Sequence, residues 1–191
     1  VSVLDEGRFQ SKLIDDLIYT VVFSPDPATQ EAAGFLIRRG AAAMGIVSAS
    51  IQPLYEAMGR KEVGGFTVPA INIRGISYDV AQSVFRAAMK GKVGPVLFEI
   101  ARSEIDYTKQ RPFEYTCAII AAAVKSNWRG PVFLQGDHFQ MNAKKFSADA
   151  DNETQMVKNL IWEAIEAGFY NIDIDTSTLV DLSQPTVKDQ Q

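Results

Sequence analysis

An acid and an imidazole stand side by side at positions 137 and 138. The apolar run Pro131–Leu134, which predicts a strand, leads through two residues into Asp137-His138, and His138 is the only histidine of the chain. A carboxylate can act as a general acid or base, and a neutral imidazole can bind a metal ion. The structural alternative is that Asp137 caps the next segment while His138 is a hydrogen-bonded loop residue.

Polar residues follow three other apolar runs in the same way. These residues are Asn72 after Phe66–Ile71, Arg102-Ser103 after Pro95–Ile100, and Asp175-Thr176-Ser177 after Phe169–Ile174. The carboxyl ends of parallel strands meet at one rim of a barrel or sheet, so the four polar ends are predicted to converge there. Asp173 and Asp175 alternate with isoleucines and share one face of their strand, and Asp175 is favoured as the last carboxylate.

Helices are predicted between these strands and position them. The helical patterns are Gln52–Arg60, Ser77–Met89, Phe113–Trp128 and Glu153–Ala167, with a polar loop at Ala143–Asn152. Strands alternating with helices predict βαβ units of a parallel sheet. The turn Ile73–Ile76 lacks the glycine-rich phosphate loop of an open doubly wound sheet. We therefore predict an α/β protein of the (β/α)8 TIM barrel class, with the first four βα units in this chain.

The first 51 residues do not show this alternation of strand and helix patterns. Ala28–Arg39 is predicted to be a helix, Leu17–Phe23 fits a helix or a strand, and the state of Ala41–Ser50 stays open. The predicted division is an N-terminal helical extension at 1–51 and the first half of a TIM barrel at 52–191.

Composition narrows the class of protein. The chain has 191 residues, of which 47% are hydrophobic and 22% charged, in the range of one globular domain. A net charge of -4 without a long Lys/Arg cluster argues against a nucleic-acid partner. The single Cys117 lies in an apolar run and predicts a buried thiol in a reducing compartment. No apolar run reaches the about 20 residues of a membrane helix, and we predict a cytoplasmic protein without a membrane partner.

Three motifs carry a family resemblance. Gly64–Asn72 resembles the start of the barrel in the metal-dependent class II fructose-bisphosphate aldolases. Gly136–His138 resembles the Asp-His pair that ends their third strand, and Glu163–Phe169 with Ile174–Ser177 resembles their fourth helix and strand. The likeness covers Gln52 to about Pro185, with the motifs in the family's order and spacing.

The resemblance implies aldol cleavage or condensation of a phosphorylated ketose. The substrate would be fructose 1,6-bisphosphate or a similar sugar, and the products dihydroxyacetone phosphate and an aldehyde. A divalent metal, usually zinc, is implied as the cofactor, bound partly by His138 with Asp175 nearby, and it would polarise the ketone carbonyl. Asp137 matches the catalytic acid and base of the family.

Four residues are predicted to bind the substrate. Asn72 matches a residue at the barrel mouth, and Ser103 a position on the second, substrate-facing loop, while Ser177 follows the fourth strand. Arg102 could bind a phosphate group, although a solvated surface arginine fits the sequence equally well.

This chain departs from the family pattern at several positions. Gln135 stands where family members commonly have a second histidine, and Phe139 replaces a small residue. The loop Met141–Gln155 is longer than in many relatives and resembles the tagatose-bisphosphate aldolase subunits of the same superfamily. A single histidine cannot complete a three-histidine metal site.

The second half of the barrel is not found in the sequence. A (β/α)8 barrel takes about 250 residues, and four βα units can be assigned here. We expect that a longer protein or a second chain, as in a homo-oligomer, supplies the remaining half. The alternative function is a non-catalytic aldolase-like barrel subunit that stabilises a partner enzyme.

Overall fold

Five strands form one parallel sheet, and helices alternate with them along the chain. The computed structural model describes residues 2–190. Its strands are β1 Ile46–Ala49, β2 Ala70–Asn72, β3 Leu97–Ala101, β4 Gly130–Gln140 and β5 Asn171–Asp175. The predicted α/β class with a parallel sheet is confirmed. A closed barrel is not seen in the described residues.

Strands β2, β3, β4 and β5 are neighbours in chain order, as the alternation of helices and strands predicts. Strand β1 pairs with the first half of β4, from Ile46 opposite Gly130, whereas β5 pairs with its second half. These two strands therefore lie end to end along one edge of β4. The prediction of four strands missed β1, which lies within the predicted helical extension 1–51.

Twelve helical segments accompany the strands in the described residues. They are α1 Glu6–Arg8, a π-helical turn Phe9–Leu13, α2 Ile14–Phe23, α3 Pro27–Ala43, α4 Gln52–Gly59, α5 Ser77–Gly91, α6 Arg102–Thr108, α7 Pro112–Lys125, α8 Ala143–Ala148, α9 Ala150–Ala167, a 3-10 turn Ser177–Leu179 and α10 Val187–Gln190. Among residues 2–190, no helix combines the length and the apolar composition that crossing a membrane requires.

The polar loop predicted at Ala143–Asn152 is instead helical. Helix α8 and the first turn of α9 occupy it. The side chains of Asn142 and Asp149 accept hydrogen bonds from the amides of Lys145 and Asn152, both at 3.0 Å. Because each cap satisfies an amide that a helix start leaves free, a segment of polar residues can form two helices.

One face of the sheet carries the main apolar core. Helix α7 lies at its centre, and residues Cys117–Val124 of that helix are buried. Phe98 and Ile100 of β3 and Leu134 of β4 belong to the same core. The N-terminal segment also packs here, since Asp15 of α2 accepts hydrogen bonds from Tyr78 and Lys125, both at 2.6 Å.

The opposite face is polar. Asn72, Glu99, Gln135 and Asn171 form one row, because each is the register partner of the next on neighbouring strands. A small apolar cluster adjoins this row on the amino-terminal side of β3 and β4, next to the end of β1; its members are Ile51, Leu97 and Phe133, with Ala49, Leu54 and Val68 packed against them. The polar face thus opens toward the carboxyl ends of the strands, where the candidate site lies.

Candidate functional site

His138 lies in β4, close to carboxylates from its own strand and from β5. Its Nδ1 is 3.1 Å from Oδ2 of Asp175 and 3.6 Å from Oδ2 of Asp173, and its Nε2 is 3.8 Å from Oδ1 of Asp137. The side chain of His138 is 62% exposed, so a ligand in solution can reach it. Two neighbouring strand ends thus bring three carboxylates to one imidazole.

Asp137, His138 and Asp173 form a candidate metal centre. Each offers one ligand atom, and the three atoms lie within 4.8 Å of one another. Two ligands of a tetrahedral zinc ion, each at about 2.1 Å, are about 3.4 Å apart. The donor set of one imidazole nitrogen and two carboxylate oxygens has the chemistry that a divalent ion needs, and ligation would draw these atoms closer together.

The carboxylates change the protonation of their neighbours. A hydrogen bond with Asp175 and the negative charge of Asp137 raise the pKa of His138 above its ordinary value. Hydrogen bonds from Ser177, and also from Gln140, hold the pKa of Asp175 well below its usual range. The site without a cation thus favours a protonated imidazole beside ionised Asp175.

Asn72 connects Asp137 to a second carboxylate. Its Nδ2 donates to Oδ2 of Asp137 at 3.0 Å and to Oε2 of Glu104 at 3.1 Å. Burial would raise the pKa of Glu104, but hydrogen bonds from Ala101, Asn72 and Arg74 outweigh burial and lower it. An ionised Glu104 therefore orients the Asn72 amide, which in turn fixes Asp137.

Glu99 lies in the middle of the polar row, 7% exposed. Its Oε1 accepts a hydrogen bond from Nε2 of Gln135 at 2.7 Å. Burial, reinforced by the negative charge of Asp137, raises the pKa of Glu99 to about 7. This carboxyl group can therefore gain or lose a proton near neutral pH, next to the candidate catalytic acid.

Arg102 is buried beside the cleft that His138 also lines. Its guanidinium donates to both carboxylate oxygens of Glu153 and, at 2.8 Å, to the carbonyl oxygen of Gln140. The amide of Asn142 also donates to Glu153 at 2.8 Å. The prediction that Arg102 binds substrate stays a prediction, and its partners favour a role in fixing the segment after His138.

The two predicted serines lie at the border of the site. The amide of Ser177 donates to Oδ1 of Asp175 at 2.8 Å, which orients that carboxylate. Ser103, in the first turn of α6, lines a cleft of about 120 Å³ together with His138 and Lys145. A larger cavity of about 820 Å³ runs along β5 and is also lined by His138. Both cavities open beside the imidazole.

Comparison with models of protein families, with curated proteins and with solved structures gives no match. The geometry of the site and the chemistry of its residues are therefore the basis for a function. The structure connects five of the predicted residues through direct contacts: Asn72, Asp137, His138, Asp175 and Ser177.

Three carboxylates of the site, Asp173, Glu99 and Glu104, were not among the site residues that the sequence predicted. Asp173 shares a strand face with Asp175, and this alternation was the signal that could have placed it in the site. Glu99 is the one charged residue of an otherwise apolar strand. Glu104 accepts a 2.9 Å hydrogen bond from the amide of Ala101, three residues earlier, which is the spacing of a helix start.

Proposed function

We propose that this chain carries the first half of the active-site rim of a metal-dependent (β/α)8 barrel aldolase, which cleaves a phosphorylated ketose into dihydroxyacetone phosphate and an aldehyde. The observation that carries the proposal is the meeting of Asp137 and His138 of β4 with Asp173 and Asp175 of β5 in one patch. The order β2-β3-β4-β5 of neighbouring strands supports a barrel.

His138 and Asp173 would hold the metal ion, with a further oxygen from Asp137 or Asp175. The bound ion would supply Lewis-acid polarisation of the ketone carbonyl. Zinc accepts this donor set, and so do Mn²⁺ and Mg²⁺, because they favour carboxylate oxygens. Zinc stays a prediction, and the assays below compare these ions.

Asp137 is proposed as the general acid and base. In this role Oδ1 accepts or returns the proton of the substrate hydroxyl, while the Asn72 amide holds Oδ2 at 3.0 Å. Asp175 lies 3.1 Å from the imidazole and is the alternative oxygen ligand. Ligation by Asp173 and Asp175 would leave Asp137 free for proton transfer.

Cleavage of fructose 1,6-bisphosphate tests the proposal. The protein is assayed with the remaining half of the barrel supplied, by a longer form of the chain or by a second copy. Dihydroxyacetone phosphate is measured with a coupled dehydrogenase, without metal and with Zn²⁺, Mn²⁺ or Mg²⁺ added. We expect metal-dependent product and its loss by a factor of about 10² or more in Asp137→Asn. Asp16→Asn, an exposed carboxylate of α2, is the matched control and should retain activity.

The second candidate is a non-catalytic barrel subunit that stabilises a partner. The supporting observation is that large apolar side chains stay exposed in and near β5 and on α9: Ile174 is 57%, Tyr170 50% and Trp162 66% exposed. Exposed apolar side chains are available to pack against another chain. This candidate predicts no cleavage with any of the three metals and an unchanged assembly state in His138→Ala, whereas metal-dependent product contradicts it.

A further inference from the structure

The backbone at His138 departs from a regular strand. Gly136 is the register partner of Ile172, and Phe139 is the partner of Ile174. Three steps along β4 therefore match two steps along β5, so β4 contains one extra residue. His138 has a φ of 44°, in the left-handed region that is uncommon for residues other than glycine. An extra residue of this kind is a β-bulge. A β-bulge changes the direction in which a side chain points, and bulges are frequent beside active sites.

The bulge also reverses the faces to which side chains point. In a regular strand Gln135, Asp137 and Phe139 would share one face. Gln135 and Asp137 do lie on the polar face, where they meet Glu99 and Asn72. Phe139 is instead fully buried in the core on the helix side. The extra residue is thus what allows Asp137 to stay on the polar face while Phe139 enters the core.

Gly136 provides the space for this arrangement. A Cβ atom at Gly136 would lie 2.6 Å from Cζ of the Phe139 ring, closer than real Cβ contacts. The ring therefore fills the volume that a side chain at 136 would take. Burying an aromatic side chain stabilises the fold relative to leaving it exposed, and this gain offsets the cost of a left-handed backbone at a residue other than glycine.

We infer that Phe139 is a positioning residue: its burial against Gly136 holds the bulge that turns His138 toward the carboxylates of β5. A polar residue at 139 would gain nothing from burial in the core, so the strand would no longer be held in the bulged form. In a regular strand, residue 139 would lie on the polar face. The imidazole of His138 would then lose its contacts with Asp173 and Asp175. The effect of these lost contacts on metal binding rests on the proposed function, but the position of the imidazole can be tested without metal.

The test compares Phe139→Thr with Phe139→Leu and with Phe85→Thr. Phe85, 2% exposed in the same core, is the matched control for the loss of an aromatic core side chain. Because His138 is the only histidine, its imidazole signals can be assigned directly by NMR. We expect Phe139→Thr to shift these signals in the metal-free protein and to weaken Mn²⁺ binding by about tenfold or more. Phe139→Leu and Phe85→Thr should leave both unchanged.

Gly136→Ala is the second variant, needed because Phe139→Thr can fail to fold. The added Cβ must displace the Phe139 ring, so the His138 signals should shift here too. A folded Phe139→Thr or Gly136→Ala protein with unchanged His138 signals overturns the inference. If the unsubstituted protein binds no Mn²⁺, the proposed metal site fails, while the signals of the metal-free variants still decide the role of Phe139.

Discussion

Replacing Glu99 by glutamine should stabilise the protein at alkaline pH and have little effect at acidic pH. The pKa of Glu99 is raised from an ordinary 4.5 to about 7, so the folded state binds the proton more tightly than the unfolded state. Stability attributable to this group is therefore highest below pH 4.5, falls between pH 4.5 and 7, and stays at its lowest value above pH 7. Glutamine cannot ionise, and its carbonyl can still accept the hydrogen bond from Gln135.

The size of the effect follows from the raised pKa of Glu99. The interval from 4.5 to about 7 corresponds to about 3 kcal/mol at 1.36 kcal/mol per pH unit. Part of it comes from the charge of Asp137, which side-chain movement can relieve, so we expect a gain of about 2 to 3 kcal/mol at pH 8.5.

Urea denaturation at pH 4.5 and at pH 8.5 measures the free energy of unfolding of both proteins. Glu104→Gln is the matched control, because the pKa of Glu104 is lowered in the fold and its replacement should destabilise the protein at pH 8.5. An equal gain at both pH values, or a loss at pH 8.5 in Glu99→Gln, would refute the reasoning about burial.

Three further predictions concern the contacts around the site. The imidazole of His138 should titrate by NMR with a midpoint above 6.5, and Asp175→Asn should lower it, because the hydrogen bond with Asp175 is the largest cause of the raised pKa; an unchanged midpoint contradicts this. Arg102→Met should cost about 3 to 5 kcal/mol in urea denaturation, because it leaves Glu153 buried without its cation. Adding Glu153→Leu should recover part of that loss, and a smaller loss in the single variant argues against a buried pair. Asn72→Ala should cost about 1 to 3 kcal/mol, because two carboxylates lose their donor; a neutral effect would show that water replaces the amide.

Local patterns were enough to predict much of the fold. Alternation of apolar runs with helical periods predicted β2 to β5, and glycine or proline residues marked most of their boundaries. Strand β1 was missed because its four residues lie in the small, apolar segment Ala41–Ser50, whose local pattern does not distinguish a strand from a helix. Its place is set by pairing with Gly130–Phe133, a long-range contact that no local pattern contains.

Local sequence patterns predicted less of the candidate site than of the fold. Asp137 and His138 were recognised by type and position, and the meeting of strand ends followed from parallel topology. The partners of Arg102 were not predictable, since Glu153 is 51 residues away along the chain. The bulge was also missed, because it depends on two residues together. Asp137 lies on the polar face and Phe139 lies in the core, although a regular strand would place both on the same face.

Titration of a divalent ion into the metal-free protein tests the central claim most directly. Calorimetry gives the stoichiometry and affinity for Zn²⁺, Mn²⁺ and Mg²⁺, while NMR follows the one imidazole of the chain. We predict about one ion per complete site, a shift or broadening of the His138 signals, and affinity lowered about tenfold or more in Asp173→Asn. Unchanged His138 signals at saturating metal, or equal affinity in Asp173→Asn and the unsubstituted protein, would contradict a metal centre held by His138 and Asp173.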